Sequence, residues 1–275
     1  MIKLKFPIVF IVCLLAIPVS AEKFSYTFSN KDTLSYALSA DSRVDLNKLG
    51  AIAAILQISN LSQNTYIVAD LTREEADKSG GCLIKALFRQ VSLVMIKNDS
   101  VHASSVSNWG EIKPGAIHRF SMAADGKIQP VLSKSGQLKA DMIALWQFIF
   151  PIFPGRSLAE KHNWADTVKF PFQMTGTAPI EVICKINYTY VGKDGNADKF
   201  EYSLQGESPQ NKNLYISGVG HIRFDNRKGR LLENSCDFEM RGMIDLTTMG
   251  LPAELNSSLP LSIKSKAIAK LQNAN

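Results

Sequence analysis

The stretch Val182-Ile-Cys-Lys-Ile-Asn-Tyr-Thr-Tyr190 decides the fold class. Apolar side chains occupy every second position from Val182 to Tyr190, whereas the polar Lys185, Asn187 and Thr189 fall between them. Successive side chains of a β-strand point to opposite sides, so this alternation is typical of a strand with one buried face. The stretch therefore predicts a sheet strand that has one wet side.

Three further segments continue the same pattern towards the carboxyl end. Lys199–Gln205, Tyr215–Asp225 and Leu232–Arg241 all alternate, and turns rich in Gly and Asn separate them, as in Gly192–Asn196 and Asn226–Gly229. Gly and Asn tolerate the positive φ angles that tight turns need. Four alternating segments joined by short turns predict an antiparallel meander.

Two glycines stand on the apolar side of the third segment. Gly218 and Gly220 share that side with Ile216, Ile222 and Phe224. A strand glycine leaves a gap, permits curvature of the sheet, or lets another molecule approach the backbone. The pattern favours curvature, and a binding surface on this side is the alternative.

The amino-terminal half of the mature chain gives weaker signals. Phe24–Phe28 and Leu34–Leu38 alternate on either side of Asn30–Asp32, which predicts a hairpin. The apolar stretch from Cys82 to Ile96 fits either a helix or a buried strand, and periodicity does not separate the two.

One helix is predicted at about residues 138–149. Leu138, Met142, Leu145, Trp146 and Ile149 form an apolar stripe, while Lys139 and Gln147 fall off it, and Pro151 ends the helix. The fold class that follows is α+β, mostly β, with curved antiparallel sheets in two packed lobes and this one amphipathic helix. The apolar hinge Phe150–Gly155 divides a lobe of residues 22–150 from a meander lobe of residues 151–275.

Residues 1–21 are expected to be a signal peptide. Lys3 and Lys5 precede the apolar run Phe6–Val19, and Val19-Ser20-Ala21 offers small residues for cleavage before Glu22. The protein is therefore expected to be exported to the periplasm, the cell envelope or the extracellular space, with no integral membrane segment after cleavage. The net charge of +6 over 275 residues is modest, and the scattered basic residues argue against nucleic acid as a partner.

Three cysteines remain after residue 21, namely Cys82, Cys184 and Cys236. Cys184 and Cys236 both fall on the apolar side of predicted strands, where they could form a disulfide or remain buried thiols. Both alternatives stay open from the sequence.

No pattern of catalytic, metal-binding or cofactor-binding residues stands out. The four histidines, His102, His118, His162 and His221, are dispersed, without the close spacing of a metal pair. Nucleophile-elbow and phosphate-loop motifs are missing from the sequence as well. We therefore expect no catalytic residue, no metal and no cofactor.

Three features together carry a resemblance to known proteins. They are Trp164 after the Pro151–Pro154 hinge, the Gly218–Asp225 strand, and the Lys228–Leu232 turn that follows it. The arrangement resembles exported bacterial β-rich proteins of uncharacterised function. A second similarity is to the curved sheets of periplasmic lipoprotein carriers, which implies an acyl-chain site on a concave face and no catalytic residues.

The function expected from the sequence is binding without catalysis. An exported envelope protein of this kind would hold an apolar or amphiphilic ligand, such as a lipid, or an envelope protein partner. The expected ligand-binding residues lie on the apolar side of the sheet or face it: Trp146, Phe153, Ile216, Gly218 and Gly220. The alternatives are a structural or assembly component of the envelope, and a hydrolase with an unrecognised site.

Overall fold

The computed structural model describes residues 21–30, 32–49, 53, 57, 59–76, 81–104, 112–133, 136–137, 140–172, 180–245 and 258–274. Residues 1–20 of the predicted signal peptide and residues 138–139 of the predicted helix lie outside these ranges. Among the described residues, no helix is both long and apolar enough to cross a membrane.

The described elements are mostly strands. In chain order they are β1 (Thr33–Val44), a 3-10 helix (Leu46–Leu49), β2 (Leu61–Ala76), β3 (Cys82–Lys97), β4 (Ser100–Ser104), β5 (Ile117–Met122), β6 (Ile128–Pro130), β7 (Leu132–Ser133), β8 (Gly136–Gln137), α1 (Ala140–Ile149), β9 (Asn163–Phe172), β10 (Ile180–Asp194), β11 (Ala197–Glu207), β12 (Tyr215–Asp225), β13 (Arg230–Asp245) and β14 (Ser258–Ala274). The mostly-β class is confirmed, with one α-helix among the described elements.

One antiparallel sheet of 12 strands dominates the described part of the chain. Its order is β6-β5-β3-β2-β1-β14-β13-β12-β11-β10-β9, with β4 also paired to β3. The strands β10 to β13 form the predicted four-stranded meander, and β9 extends it by pairing with β10. Both edge strands, β6 and β9, contact α1, so the sheet curves around the helix.

We call the side of the sheet that faces α1 the inner face. Its side chains alternate with exposed ones along each strand, so that Tyr188 and Tyr190 are buried while Lys185 and Asn187 are exposed. This is the alternation that the sequence predicts for Val182–Tyr190. Burial of these apolar side chains against α1 is the main driving force for the curved arrangement.

The helix is buried nearly all round. Met142, Trp146 and Ile149 are buried, and Gln147, which the sequence places off the apolar stripe, is only 8% exposed. The reason is the curvature of the sheet, which brings a strand to the side of the helix that would otherwise face water. Gln147 compensates for its burial with three hydrogen bonds. Its Oε1 accepts from the Ile128 amide at 2.9 Å, and its Nε2 donates to the carbonyl oxygens of Gly126 and Phe150 at 3.2 and 2.8 Å.

Two local predictions are resolved by the structure. The apolar stretch after Cys82 is a strand along its whole length. The predicted hairpin between Phe24–Phe28 and Leu34–Leu38 is wrong, because Phe24–Phe28 crosses the inner face as an extended segment and does not pair with β1. The backbone amides of Tyr26 and Thr27 donate instead to the carbonyl oxygens of Ala124 and Gly229. Alternation in this segment reflects its one buried side and not membership of a sheet.

The division of the chain at residues 150–151 stays a prediction. Strand β1, from the amino-terminal half, pairs with β14, from the carboxyl-terminal half, over eleven registered positions from Leu34↔Ala274 to Val44↔Ile263. The two halves therefore contribute to a single continuous sheet.

Candidate functional site

A small apolar cavity lies between α1 and the middle of the sheet. Its volume is about 70 Å³, and it is partly open to solvent. The lining comes from β1, β2, β13 and β14 on one wall and from α1 on the other: Leu38, Ser39, Ala40, Thr65, Ile67, Leu145, Phe148, Ile149, Asn234, Ala267, Ile268 and Ala269.

Small side chains on the sheet create this cavity. Ala40 of β1 pairs with Ala267 of β14, and both face the bulky Leu145 and Phe148 of the helix. Protein interiors are normally packed as densely as organic crystals, and few voids exceed the size of a water molecule. A run of alanines opposite a helix therefore leaves space that the neighbouring side chains do not fill.

The cavity deepens along the strands. Leu38, Ile67 and Asn234 are buried at one end, whereas Ala40 and Thr65 are half-buried at the other. Leu38 and Ala40 lie on β1, and Ile67 and Thr65 lie on β2, so burial decreases in the same direction along both strands. We call the half-buried end the mouth of the cavity and the buried end its floor.

Asn234 is the polar group at the floor, and both its amide nitrogen and its amide oxygen are hydrogen-bonded. Its Nδ2 donates to the carbonyl oxygens of Phe148 and Ile149 at 2.9 and 3.0 Å, and its Oδ1 accepts from the Tyr202 hydroxyl at 2.9 Å. These contacts satisfy two carbonyl groups at the end of α1, which have no partner within the helix. Burial raises the pKa of Tyr202 well above its ordinary value, so its hydroxyl keeps its proton.

A row of polar side chains follows the mouth on the inner face. Gln63, Ser42 and Ser265 are register partners on β2, β1 and β14, one inner-face position beyond Thr65, Ala40 and Ala267. Ser265 Oγ donates to Ser42 Oγ at 2.8 Å, and Gln63 Nε2 donates to Thr65 Oγ1 at 3.4 Å. We call Gln63, Ser42 and Ser265 the polar row.

The five residues predicted from the sequence divide into two groups. Trp146 and Phe153 are 0% and 1% exposed, and aromatic rings surround both, so they are part of the packed core. Gly220 is also buried, and the ring of Tyr202 occupies the space beside it. Ile216 and Gly218 are half-buried.

Gly218 pairs with Phe238, which pairs with Ser265 of the polar row, and Gly220 pairs with Cys236, which pairs with the cavity residue Ala267. None of the five is among the described residues that line the cavity. Their assignment to a ligand stays a prediction.

The cavity residues themselves were not identified from the sequence, although β14 carries a signal for them. At its inward-facing positions the residues become smaller along the strand, from Leu261 and Ile263 to Ser265, Ala267 and Ala269. A decrease in side-chain size along one face of a strand predicts a gap only when the opposite wall is known. The position of α1 supplies that wall.

The three cysteines are buried free thiols. Cys184 and Cys236 are separated by β11 and β12 in the sheet. Burial is the main cause that raises the pKa of Cys184 to about 12 and that of Cys236 to about 11. Both side chains therefore remain neutral thiols at physiological pH and serve as small apolar residues.

The histidines occupy separate places in the described structure. His118 packs against Phe88 with ring centroids 4.8 Å apart, and His162 Nδ1 accepts from the Ala159 amide at 3.1 Å. His221 is exposed, with Nδ1 3.9 Å from a carboxylate oxygen of Glu201. Within the described ranges, no group of three or more potential metal ligands converges.

Comparison with known proteins shows a likeness in fold only. No protein-family model and no curated protein matches the chain. The chain is similar to lipovitellin, in a structure described under the words "lipid-protein interactions in lipovitellin", with a TM-score of 0.54 and 10% sequence identity over 90% of this chain. It spans 26% of the lipovitellin chain, so the likeness covers one part of a much larger protein.

A second solved structure has a much lower overlap. This is the open-gate secretin InvG of the Salmonella SPI-1 type III secretion injectisome, with 8% identity, a TM-score of 0.18, and coverage of 87% of this chain and 57% of that one.

Proposed function

We propose that this is a non-catalytic protein, exported to the cell envelope, that binds an apolar or amphiphilic ligand between α1 and the inner face of the sheet. The observation that carries the proposal is the partly open cavity between α1 and strands β1, β2, β13 and β14. Ligand pockets are typically concave and mostly apolar, with a few placed polar groups. The cavity and the polar row beyond it have this character.

The likeness to lipovitellin supports the proposal. That structure is described by its lipid–protein interactions, and the shared feature is the fold of this region. Folds host many functions, so the likeness adds weight only because this chain has its own apolar cavity.

The size of the cavity limits what enters it. An engineered apolar cavity of about 150 Å³ binds benzene, so a cavity of about 70 Å³ holds only the end of a hydrocarbon chain. The remainder of a longer ligand would extend through the mouth, along the half-buried residues of the inner face. A modest outward shift of α1 would lengthen the bound segment.

Native mass spectrometry of the protein purified from its own envelope, followed by organic extraction, tests the proposal. We expect a bound amphiphile of defined mass on the wild type. Ala267→Leu places a larger side chain in the cavity and should remove this ligand. Ala165→Leu, an exposed position on β9, is the matched control and should retain it.

Two results would contradict the proposal. One is a wild-type protein that has no bound amphiphile and does not take up added lipid. The other is an Ala267→Leu protein that is folded, as judged by its thermal transition, and carries as much ligand as the wild type. Ala40→Val, a milder filling of the same cavity, covers the case in which Ala267→Leu does not fold.

A structural or assembly role in the envelope is the second candidate. The dense packing of Trp146 and Phe153 favours it, because both were expected to face a ligand and both are covered by protein. A wild-type protein without lipid that cross-links to an envelope protein in cells would support this role in place of ligand binding.

A further inference from the structure

We propose that the ligand is a single-chain amphiphile with an uncharged head that bears hydroxyl or ester groups, and that its tail end enters the cavity while its head contacts the polar row. This inference rests on the proposed function and specifies the chemistry of the same site. It depends on three observations: the engaged amide at the floor, the hydroxyl groups beyond the mouth, and the uncharged register partners of the polar row.

The floor of the cavity has no spare hydrogen-bond donor for a polar head. Asn234 uses both of its amide hydrogens on the helix carbonyls and its oxygen on the Tyr202 hydroxyl. Burial of a polar group without a partner costs free energy, whereas a methyl group or methylene chain needs none. The tail end of an amphiphile is therefore the part that enters.

The polar row can bind an uncharged head, chiefly through Ser42 and Gln63, which are half-buried, whereas Ser265 is 8% exposed and supports Ser42 from below. A serine hydroxyl has one donor and two acceptor sites, so the single bond between Ser265 and Ser42 leaves acceptor and donor capacity on the pair. The Gln63 amide adds further donors and an acceptor within the same row. Because the row lies one inner-face position beyond the mouth on three adjacent strands, a head group attached to a tail in the cavity would meet it directly.

The side chains in register with the polar row do not favour an anionic head. The register partners that flank the polar row on this face are uncharged, because Phe238 of β13 pairs with Ser265 and Met95 of β3 pairs with Gln63. The ionisable groups reached further along the same row are His102 on β4, beyond Met95, and Asp166 on β9, four strands beyond Phe238, so neither is a direct register partner of the polar row. A fatty-acid carboxylate or a phosphate would lose its hydration there without gaining a cationic partner.

Two lipids with the same tail separate the alternatives. The probes are 1-monopalmitoylglycerol and palmitate at pH 8, each used to displace the neutral fluorophore N-phenyl-1-naphthylamine from the full mature protein. We expect monopalmitoylglycerol to bind at least about tenfold more tightly than palmitate, since the second lipid brings an unpaired charge to the site.

The double variant Ser42→Ala/Ser265→Ala tests the role of the polar row. It should weaken monopalmitoylglycerol binding by about 5- to 10-fold, the effect of losing one or two hydrogen bonds, and leave palmitate binding unchanged. Ser203→Ala, on the exposed outer side of β11, is the matched control and should bind both lipids as the wild type does.

The outcomes distinguish this inference from the proposed function. Palmitate binding as tight as or tighter than monopalmitoylglycerol, or a folded double variant with unchanged preference, overturns the neutral-head assignment alone. In that case, an Ala267→Leu protein that binds neither lipid would still support the proposal that ligands bind in the cavity. If neither lipid displaces the fluorophore from the wild type, both proposals fail.

Discussion

The ring of Tyr202 fills the space that Gly220, which has no side chain, leaves on the inner face. A β-carbon added at Gly220 would overlap the ring of Tyr202 and the carbonyl oxygen of Ser235. The hydroxyl of that ring donates to Asn234, so the glycine allows a hydrogen-bonded tyrosine to cross β12. The glycine is required for packing within the protein, a role that its position on the apolar face did not distinguish from contact with a ligand.

Gly220→Ala should therefore destabilise the fold. We expect the free energy of unfolding to fall by about 1–3 kcal/mol, the usual cost of overpacking a core, as measured by urea denaturation. Val219→Ala, in the same strand and 58% exposed, should change it by less than about 0.5 kcal/mol. A Gly220→Ala protein with wild-type stability and reduced ligand binding would instead indicate that the space beside Gly220 belongs to the ligand.

At the scale of elements, α1 holds the end of the sheet through one side chain. Gln147 accepts the amide hydrogen of Ile128 on β6, the edge strand, and donates to the turn at Gly126. An edge strand has unpaired backbone groups on one side, and this amide satisfies one of them within the protein.

Gln147→Met, which keeps the shape but removes the polar atoms, should loosen β6. The Ile128 amide loses its acceptor, so its hydrogen exchange should become faster, and the protein should lose about 1–3 kcal/mol of stability. Gln129→Met changes an exposed glutamine on the same strand and should leave both measurements unaltered. Unchanged exchange at Ile128 in Gln147→Met would show that β6 is held by its pairing with β5 alone.

The elements that could be predicted from the sequence are those whose residue pattern is visible within the element itself. The strands β10 to β13 alternate without interruption, and α1 has an apolar stripe and a proline after its end, so both were recognisable from nearest neighbours. The stretch Cys82–Ile96 was ambiguous because an apolar run fits a buried strand and a buried helix equally well. The burial of Gln147 was not predictable, because it depends on a strand that approaches α1 from elsewhere in the chain.

The candidate site was less predictable than the fold. Ala40 and Ala267 become neighbours only through the pairing of β1 with β14, two segments more than 200 residues apart in sequence. The expected residues Trp146 and Phe153 are large and apolar, and such side chains fill space more often than they line it. The cavity arises where side chains are small, a feature that has meaning only after the opposing wall is known.

At the scale of the whole molecule, the sheet crosses the predicted boundary between the halves of the chain. Strands β1 and β14 pair in its middle, so neither half keeps its pairing if the other unfolds. We expect a single cooperative unfolding transition in urea. Variants that retain only Trp146 or only Trp164 would report on the two halves, and their fluorescence midpoints should coincide with the far-ultraviolet circular dichroism midpoint of the same variant.

A clear separation of the two fluorescence midpoints would contradict this expectation. It would show that residues 22–150 and 151–275 behave as separate domains despite their shared sheet. Each variant is compared with its own circular dichroism curve, so any destabilisation by the Trp replacements themselves does not affect the conclusion.

The pairing of β1 with β14 also has a consequence for biogenesis. During synthesis β1 emerges early, but one of its two neighbours arrives only after every other strand of the sheet has been made. Contacts between such distant segments slow folding, because closing the long intervening loop costs chain entropy before the contact stabilises the protein. Until then the nascent chain presents an open strand edge and an uncovered row of alanines and leucines, the kind of surface that promotes association between chains. We therefore expect association between copies of the chain to compete with folding until β14 pairs with β1.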